Sequence, residues 1–207
     1  MPLPPSRVSV VLLMALMLLG ASSCTLQRSG YQFVRSPSTG TYLKVPDSWA
    51  LFDAEAVAKA YEQADPDRNV AFMTAFDASR EANAVFDPMA DAPNGLIRVR
   101  SLTAAERDGA SLSSIRNTIV DLDQAKEAGV LRAVTGEEIQ DAKGLRGQRV
   151  VFSLDIEGEL TTMSKTALVD AKTSKLYTLL VGCRAACYEK HKGNIDKVVE
   201  SLTIKER

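Results

Sequence analysis

Histidine occurs once in this 207-residue chain, as His191, tryptophan once, as Trp49, and cysteine three times, as Cys24, Cys183 and Cys187. A structural zinc site takes four Cys or His ligands, so if Cys24 is used elsewhere the remainder falls one short. A lone histidine with no Ser, Asp or Cys constellation around it has no catalytic partner. No nucleotide-binding or nucleophile-elbow motif appears, and Ser111-Leu-Ser-Ser114 reads as helix capping. The chain also has no strong charge of one sign, with 25 Lys+Arg against 26 Asp+Glu. Without a basic tract or interleaved basic and aromatic residues, it is not expected to bind nucleic acid.

Long apolar runs are equally scarce. The one that stands out is Val8 to Leu19, which follows Arg7 and leads into the small residues Gly20, Ala21, Ser22 and Ser23 before Cys24. A charged start, a short apolar core and a small-residue end make a cleaved export signal, and the core is too short for the ~20 apolar residues of a spanning helix. The quartet Ala21-Ser22-Ser23-Cys24 resembles the lipobox of bacterial lipoproteins, although Ala21 stands where leucine is usual. That resemblance implies a diacylglyceryl group on the Cys24 thiolate, with palmitate-class acyl chains, and cleavage just before it. The alternatives are plain secretion and an uncleaved anchor. Residues 1–23 are read as the signal peptide, 24–30 as a short tether and 31–207 as one domain. Extended, the tether reaches at most ~20 Å, so a lipidated Cys24 holds the domain close to the headgroups of the cell membrane, on its extracytoplasmic face.

Residues 1–23 contain only Arg7 among charged residues, so the rest balances 24 basic against 26 acidic side chains. Its length suffices for one core that buries roughly 70% of the unfolded surface. Setting Cys24 aside leaves Cys183 and Cys187, an even pair in an exported protein, and a structural disulfide is the expected state. Free or redox-active thiols and a metal site that adds His191 are the alternatives. On a helix His191 shares a face with Cys187, Ile195, Val198 and Leu202, at the margin of a buried stripe.

The remaining pattern alternates strand and helix. Tyr31 to Arg35 and Tyr42 to Val45 flank a Pro37/Gly40 turn. A helix is expected over Leu51 to Gln63, ended by Asp65-Pro66. Strands follow over Asn69 to Phe76 and Gly95 to Leu102, separated by an irregular, proline-broken stretch from Ala78 to Asn94 that is the candidate mobile loop. One helix is expected from the Ser111 or Ser113 cap to Ala128, with Gly129 as its stop. Val130 to Ile139, Arg149 to Ile156, Leu160 to Val169 and Lys175 to Gly182 form a meander, closed by a helix over Tyr188 to Leu202. Such an order predicts an α+β fold, an antiparallel sheet with helices packed on it.

The opening Tyr-x-Phe…Tyr42-Leu-Lys-Val-Pro-Asp-Ser-Trp49 hairpin, the Arg149 to Val181 meander and the ending Leu176-Tyr-Thr-Leu-Leu-Val-Gly-Cys183…Tyr188-Glu-Lys-His191…Ile195-Asp-Lys-Val-Val-Glu-Ser-Leu-Thr-Ile204 resemble the PsbP-like fold, nearest to actinobacterial lipoproteins of the LpqN type. The resemblance implies a twisted antiparallel β-sheet flanked by helices, a docking role and no active site. Fold analogy does not carry a partner across.

Carboxylate pairs Asp65/Asp67, Asp87/Asp91 and Asp121/Asp123 and the row Asp155, Glu157, Glu159 are candidate acid/base or metal groups, but none has calcium-loop order. They read as solvated surface. Arg98 and Arg100 are expected to answer Asp155 and Glu157 across the sheet as exposed ion pairs, the alternative being that they bind an anion. The expected protein is therefore a membrane-anchored lipoprotein without catalytic residues, metal or cofactor. It binds an envelope protein, glycan or lipid. The rival is an envelope hydrolase or transferase with a site near residues 78–94.

Overall fold

The computed structural model describes residues 30–61 and 69–205. Cys24, the signal peptide, all of the tether but Gly30, and the Asp65-Pro66-Asp67 segment lie outside the described residues.

Ten strands and five helices follow one another along the described chain. They are β1 (Tyr31–Ser36), β2 (Thr41–Pro46), β3 (Ala50–Phe52), α1 (Ala54–Tyr61), β4 (Val70–Asp77), β5 (Asn94–Ser101), α2 (Ala104–Asp108), α3 (Leu112–Arg116), α4 (Leu122–Glu127), β6 (Leu131–Gln140), β7 (Arg146–Ile156), β8 (Glu159–Val169), β9 (Lys175–Arg184), α5 (Ala185–Glu200) and β10 (Thr203–Ile204). Seven strands make one antiparallel sheet in the order β3-β4-β5-β9-β8-β7-β6. The expected α+β architecture is the observed one, but there are two sheets. The opening hairpin pairs with β10 in a separate three-stranded sheet, β1-β2-β10.

Alternation explains the layering. On β9, Tyr177, Leu179, Val181 and Cys183 face α5 and the small sheet, where Leu43, Val45, Tyr188, Ile195 and Val198 meet them. Leu176 and Leu180 face the other way, toward the layer that holds α1, α3 and α4. The central strands of the large sheet are thus covered on both faces, and strands so placed need apolar residues at successive positions, whereas the edge strand β6 is mostly exposed. Trp49 stacks on Phe76 with ring centroids 5.9 Å apart, joining the hairpin's end to β4.

Helix starts follow their caps. Thr103 and Glu106 form a capping box on α2, and Ser111 and Ser114 form one on α3. The single helix expected from Ser111 to Ala128 is two, because Ile119 takes φ 64° between them and Asp121 recaps α4 through the N–H groups of Asp123 and Gln124. Gly129, at φ 70°, ends α4 as expected. The helix expected from Leu51 starts later, since Leu51 pairs with Phe76 in β3 and Asp53 accepts from the Ala56 N–H at 2.8 Å. At the other end of the chain α5 starts at Ala185, before the expected Tyr188, and so takes in Cys187.

Candidate functional site

The sequence drew attention first to the cysteines. Cys183 ends in β9 and Cys187 lies in the first turn of α5, and their sulfurs are bonded, with the Cα atoms 6.0 Å apart. Both are buried in the core that holds Tyr188 and Ile195. Arg184 between them straps this corner to the irregular segment, its N–H donating to Ala90 O at 3.1 Å and its guanidinium to Asp91 at 3.1 Å. Joined to each other, the two sulfurs are not available to a metal beside half-buried His191. Among the described residues no three His, Cys, Asp or Glu side chains gather into a metal set.

The candidate carboxylates are spread out and used locally. Asp121 caps α4, while Asp123 accepts from Asn117 and Arg116, which hold its carboxyl below the usual range. Asp155 pairs with Arg132 at 2.6 Å and is lowered by that bond. The expected Arg98/Arg100 to Asp155/Glu157 pairing is not formed. Arg100 instead reaches Glu106 at 2.6 Å, because the capping box of α2 brings that carboxylate over the end of β5. Residues 78–93 are irregular, as expected, and are stitched by side chains: Asp77 accepts from the N–H groups of Ser79 and Asn83, and Asn94 exchanges two bonds with the Asp87 backbone. Asp77 and Asp87 there serve the loop's own amides.

One functional-type group was missed. Lys165, in the middle of β8, is fully buried, and its Nζ donates to Thr118 O at 3.2 Å and Val120 O at 2.8 Å, with the Phe152 ring centroid 5.4 Å away. Burial is the main cause that pushes its pKa down to about 7; Arg116 acts in the same sense and Asp121 against it. The signal was present, because Met163, Ala167 and Val169 share its face and a lysine among them has nowhere wet to go.

A second feature is concave. Between α2, α3 and the ends of β5, β8 and β9 lies a pocket of about 260 Å³, walled by Leu102, Ile115, Val169 and Leu176. The Arg100–Glu106 ion pair and Ser114 supply its polar groups. That is an apolar hole with a small polar complement, the usual make-up of a binding site and somewhat below the ~300 Å³ lower bound for drug-sized ligands.

No protein-family model matches the chain, and no curated protein sequence matches it. Solved structures similar to it include the cyanobacterial PsbP protein of Synechocystis sp. PCC 6803, at 14% identity over 89% of this chain and 99% of that one, with a TM-score of 0.48. Another is LpqN, involved in cell envelope biogenesis of Mycobacterium tuberculosis, at 13% identity over 85% and 91%, with a TM-score of 0.47. The Ran-binding protein Mog1p of Saccharomyces cerevisiae is similar at 9% identity over 84% and 95%, with a TM-score of 0.45.

Proposed function

We propose that this chain is a lipid-anchored, non-catalytic binding module of the cell envelope, held on the extracytoplasmic face of the cell membrane through Cys24. Its ligand is an envelope protein, glycan or lipid that places an apolar group in the pocket beneath α2 and α3. The observation that carries this reading is the pocket itself: four aliphatic walls with the Arg100–Glu106 pair among the polar groups around them. Filling such walls removes apolar surface from water at ~25 cal/mol per Å², while the polar groups orient what enters.

The test places a photo-crosslinking amino acid at Gly109, which lines the pocket, or at exposed Glu189 on α5, in intact cells. A discrete adduct should form from position 109 and not from 189, and should disappear when Ala110→Phe fills the pocket. Equal adducts from both positions, or an adduct indifferent to the filling substitution, would overturn the reading.

A further inference from the structure

At the end of the molecule made by the β1–β2 and β8–β9 turns, a second, polar cleft of about 190 Å³ opens between Ser38, Thr39, Lys172, Ser174, Lys175 and Lys205. Its walls are fixed. Thr39 Oγ1 bonds to the Ser36 and Thr41 hydroxyls at 2.8 and 2.9 Å, and Tyr177 OH donates to Thr39 O at 3.2 Å. Lys205 N–H donates to Gly40 O at 2.8 Å. Gly40 allows that approach at φ 72°, since a Cβ there would fall 2.1 Å from the Lys205 carbonyl oxygen. The Lys205 ammonium lies 4.9 Å from the Tyr42 ring centroid.

The charge around this cleft is one-sided. Among the described residues, Lys172, Lys175 and Lys205 line it with a single carboxylate, Asp170. Asp170 is buried and turned into its own turn, where it accepts from Ser174 N–H, Ser174 Oγ and Lys175 N–H. None of the ion pairs among the described residues uses any of the three lysines. In a chain whose net charge is -1, three lysines lining one small cleft are a local excess of positive charge that an anion relieves. Ammonium groups act as compact point charges, and in that form lysine binds phosphate. The volume fits a compact group, not a nucleoside or an extended sugar chain.

We propose that this cleft binds a phosphate group, as a free ion or as a diester. Six residues of β1, ~20 Å of extended strand, separate its β1–β2 turn from Gly30, the described residue nearest the anchor. Placing the phosphate on an envelope partner away from the anchoring membrane rests on the anchored reading above; phosphate binding by the cleft does not.

The test titrates the full chain, in neutral detergent at fixed ionic strength, with inorganic phosphate in one arm and glycerophosphoglycerol in the other. Saturable binding should weaken by ~10-fold or more in Lys172→Gln/Lys175→Gln/Lys205→Gln, and persist in the charge-matched Lys143→Gln/Lys190→Gln/Lys197→Gln. Preference for the diester points to a polymer or headgroup source, preference for the ion to free phosphate. No saturation in either arm, or equal loss in both variants, overturns the proposal. Should the cleft variant fail to fold, the single exposed substitution Lys172→Glu carries the same expectation. A negative result leaves the crosslinking test of the apolar pocket untouched.

Discussion

The Lys165 Nζ lies 2.8 Å from the carbonyl oxygen of Val120, and this bond closes a turn that the backbone alone would not favour. Val120 N–H donates back to Thr118 O at 2.7 Å, a three-residue turn with Ile119 at its centre at φ 64°. A β-branched residue in that region is strained by ~1 to 3 kcal/mol. Lys165 donates to both flanking carbonyls, giving Val120 O a partner and Thr118 O a second donor. A neutral amine still has two N–H groups for them, so the turn survives loss of the charge.

That geometry gives stability a specific dependence on pH. The folded pKa of Lys165, about 7, lies below the value of an unfolded lysine. Between the two the unfolded chain binds more protons, so stability rises as pH increases above about 7 and levels off near pH 10, with a slope on the order of 1.4 kcal/mol per pH unit at most. Lys165→Met should lack this increment, seen in urea curves as wild type gaining stability relative to the variant as pH rises from about 7 toward 10. Parallel curves would show that the amine is not buried in its charged form.

Relief of strain at the same turn is separable. Ile119 is 40% exposed, so its side chain contributes little burial. Ile119→Gly should therefore raise stability by up to ~1 kcal/mol, net of the extra entropy glycine gives the unfolded chain. A clear loss in chemical denaturation would mean that the isoleucine packs more than its exposure indicates.

Close packing makes the opposite prediction at Gly95. A Cβ there would meet Leu180 O at 2.5 Å and the Phe76 ring at 2.6 Å, and Phe76 is itself stacked on Trp49. Neither the strand backbone nor the ring has room to yield, so Gly95→Ala should cost ~1 to 3 kcal/mol and disturb the tryptophan fluorescence. An unchanged midpoint and spectrum would be incompatible with this contact.

What the sequence disclosed followed from local rules. The meander was legible because turn residues punctuate it and β7 alternates Val150, Phe152 and Leu154 inward. The caps at Ser111 and the stop at Gly129 were legible for the same reason. The break at Ile119 was not, since nothing in an isoleucine announces a left-handed turn; a lysine 46 positions later in the sequence holds it. Likewise the separate small sheet depends on β10 returning to β2, a long-range pairing with no local mark. Both clefts were invisible because their walls come from segments distant along the chain, such as Leu102 with Val169 and Ser38 with Lys205.

The anchor is testable apart from the fold. No helix among the described residues is long and apolar enough to cross a membrane. If Cys24 carries the lipid, Cys24→Ser should abolish incorporation of a labelled fatty acid and release the domain into the medium. A variant that stays labelled and sediments with membranes would defeat the lipoprotein reading.

The Cys183–Cys187 bridge closes a small ring at the corner between β9 and α5, so its constraint on the unfolded chain is modest. The corner has other ties: Arg184 to Ala90 and Asp91, and the packing of Tyr188, Ile195, Val198 and Val199 on the sheet. Replacing both cysteines with alanine should therefore lower stability by ~1 to 3 kcal/mol while the far-ultraviolet circular dichroism and the cooperativity of unfolding persist. Peptide mapping of wild-type protein exported through an oxidising compartment should find the pair joined and closed to alkylation. Two free thiols there would show that the bond is not kept in solution. Complete unfolding of the double variant would show that the bridge carries the seating of α5, a role the burial of its four core residues otherwise accounts for.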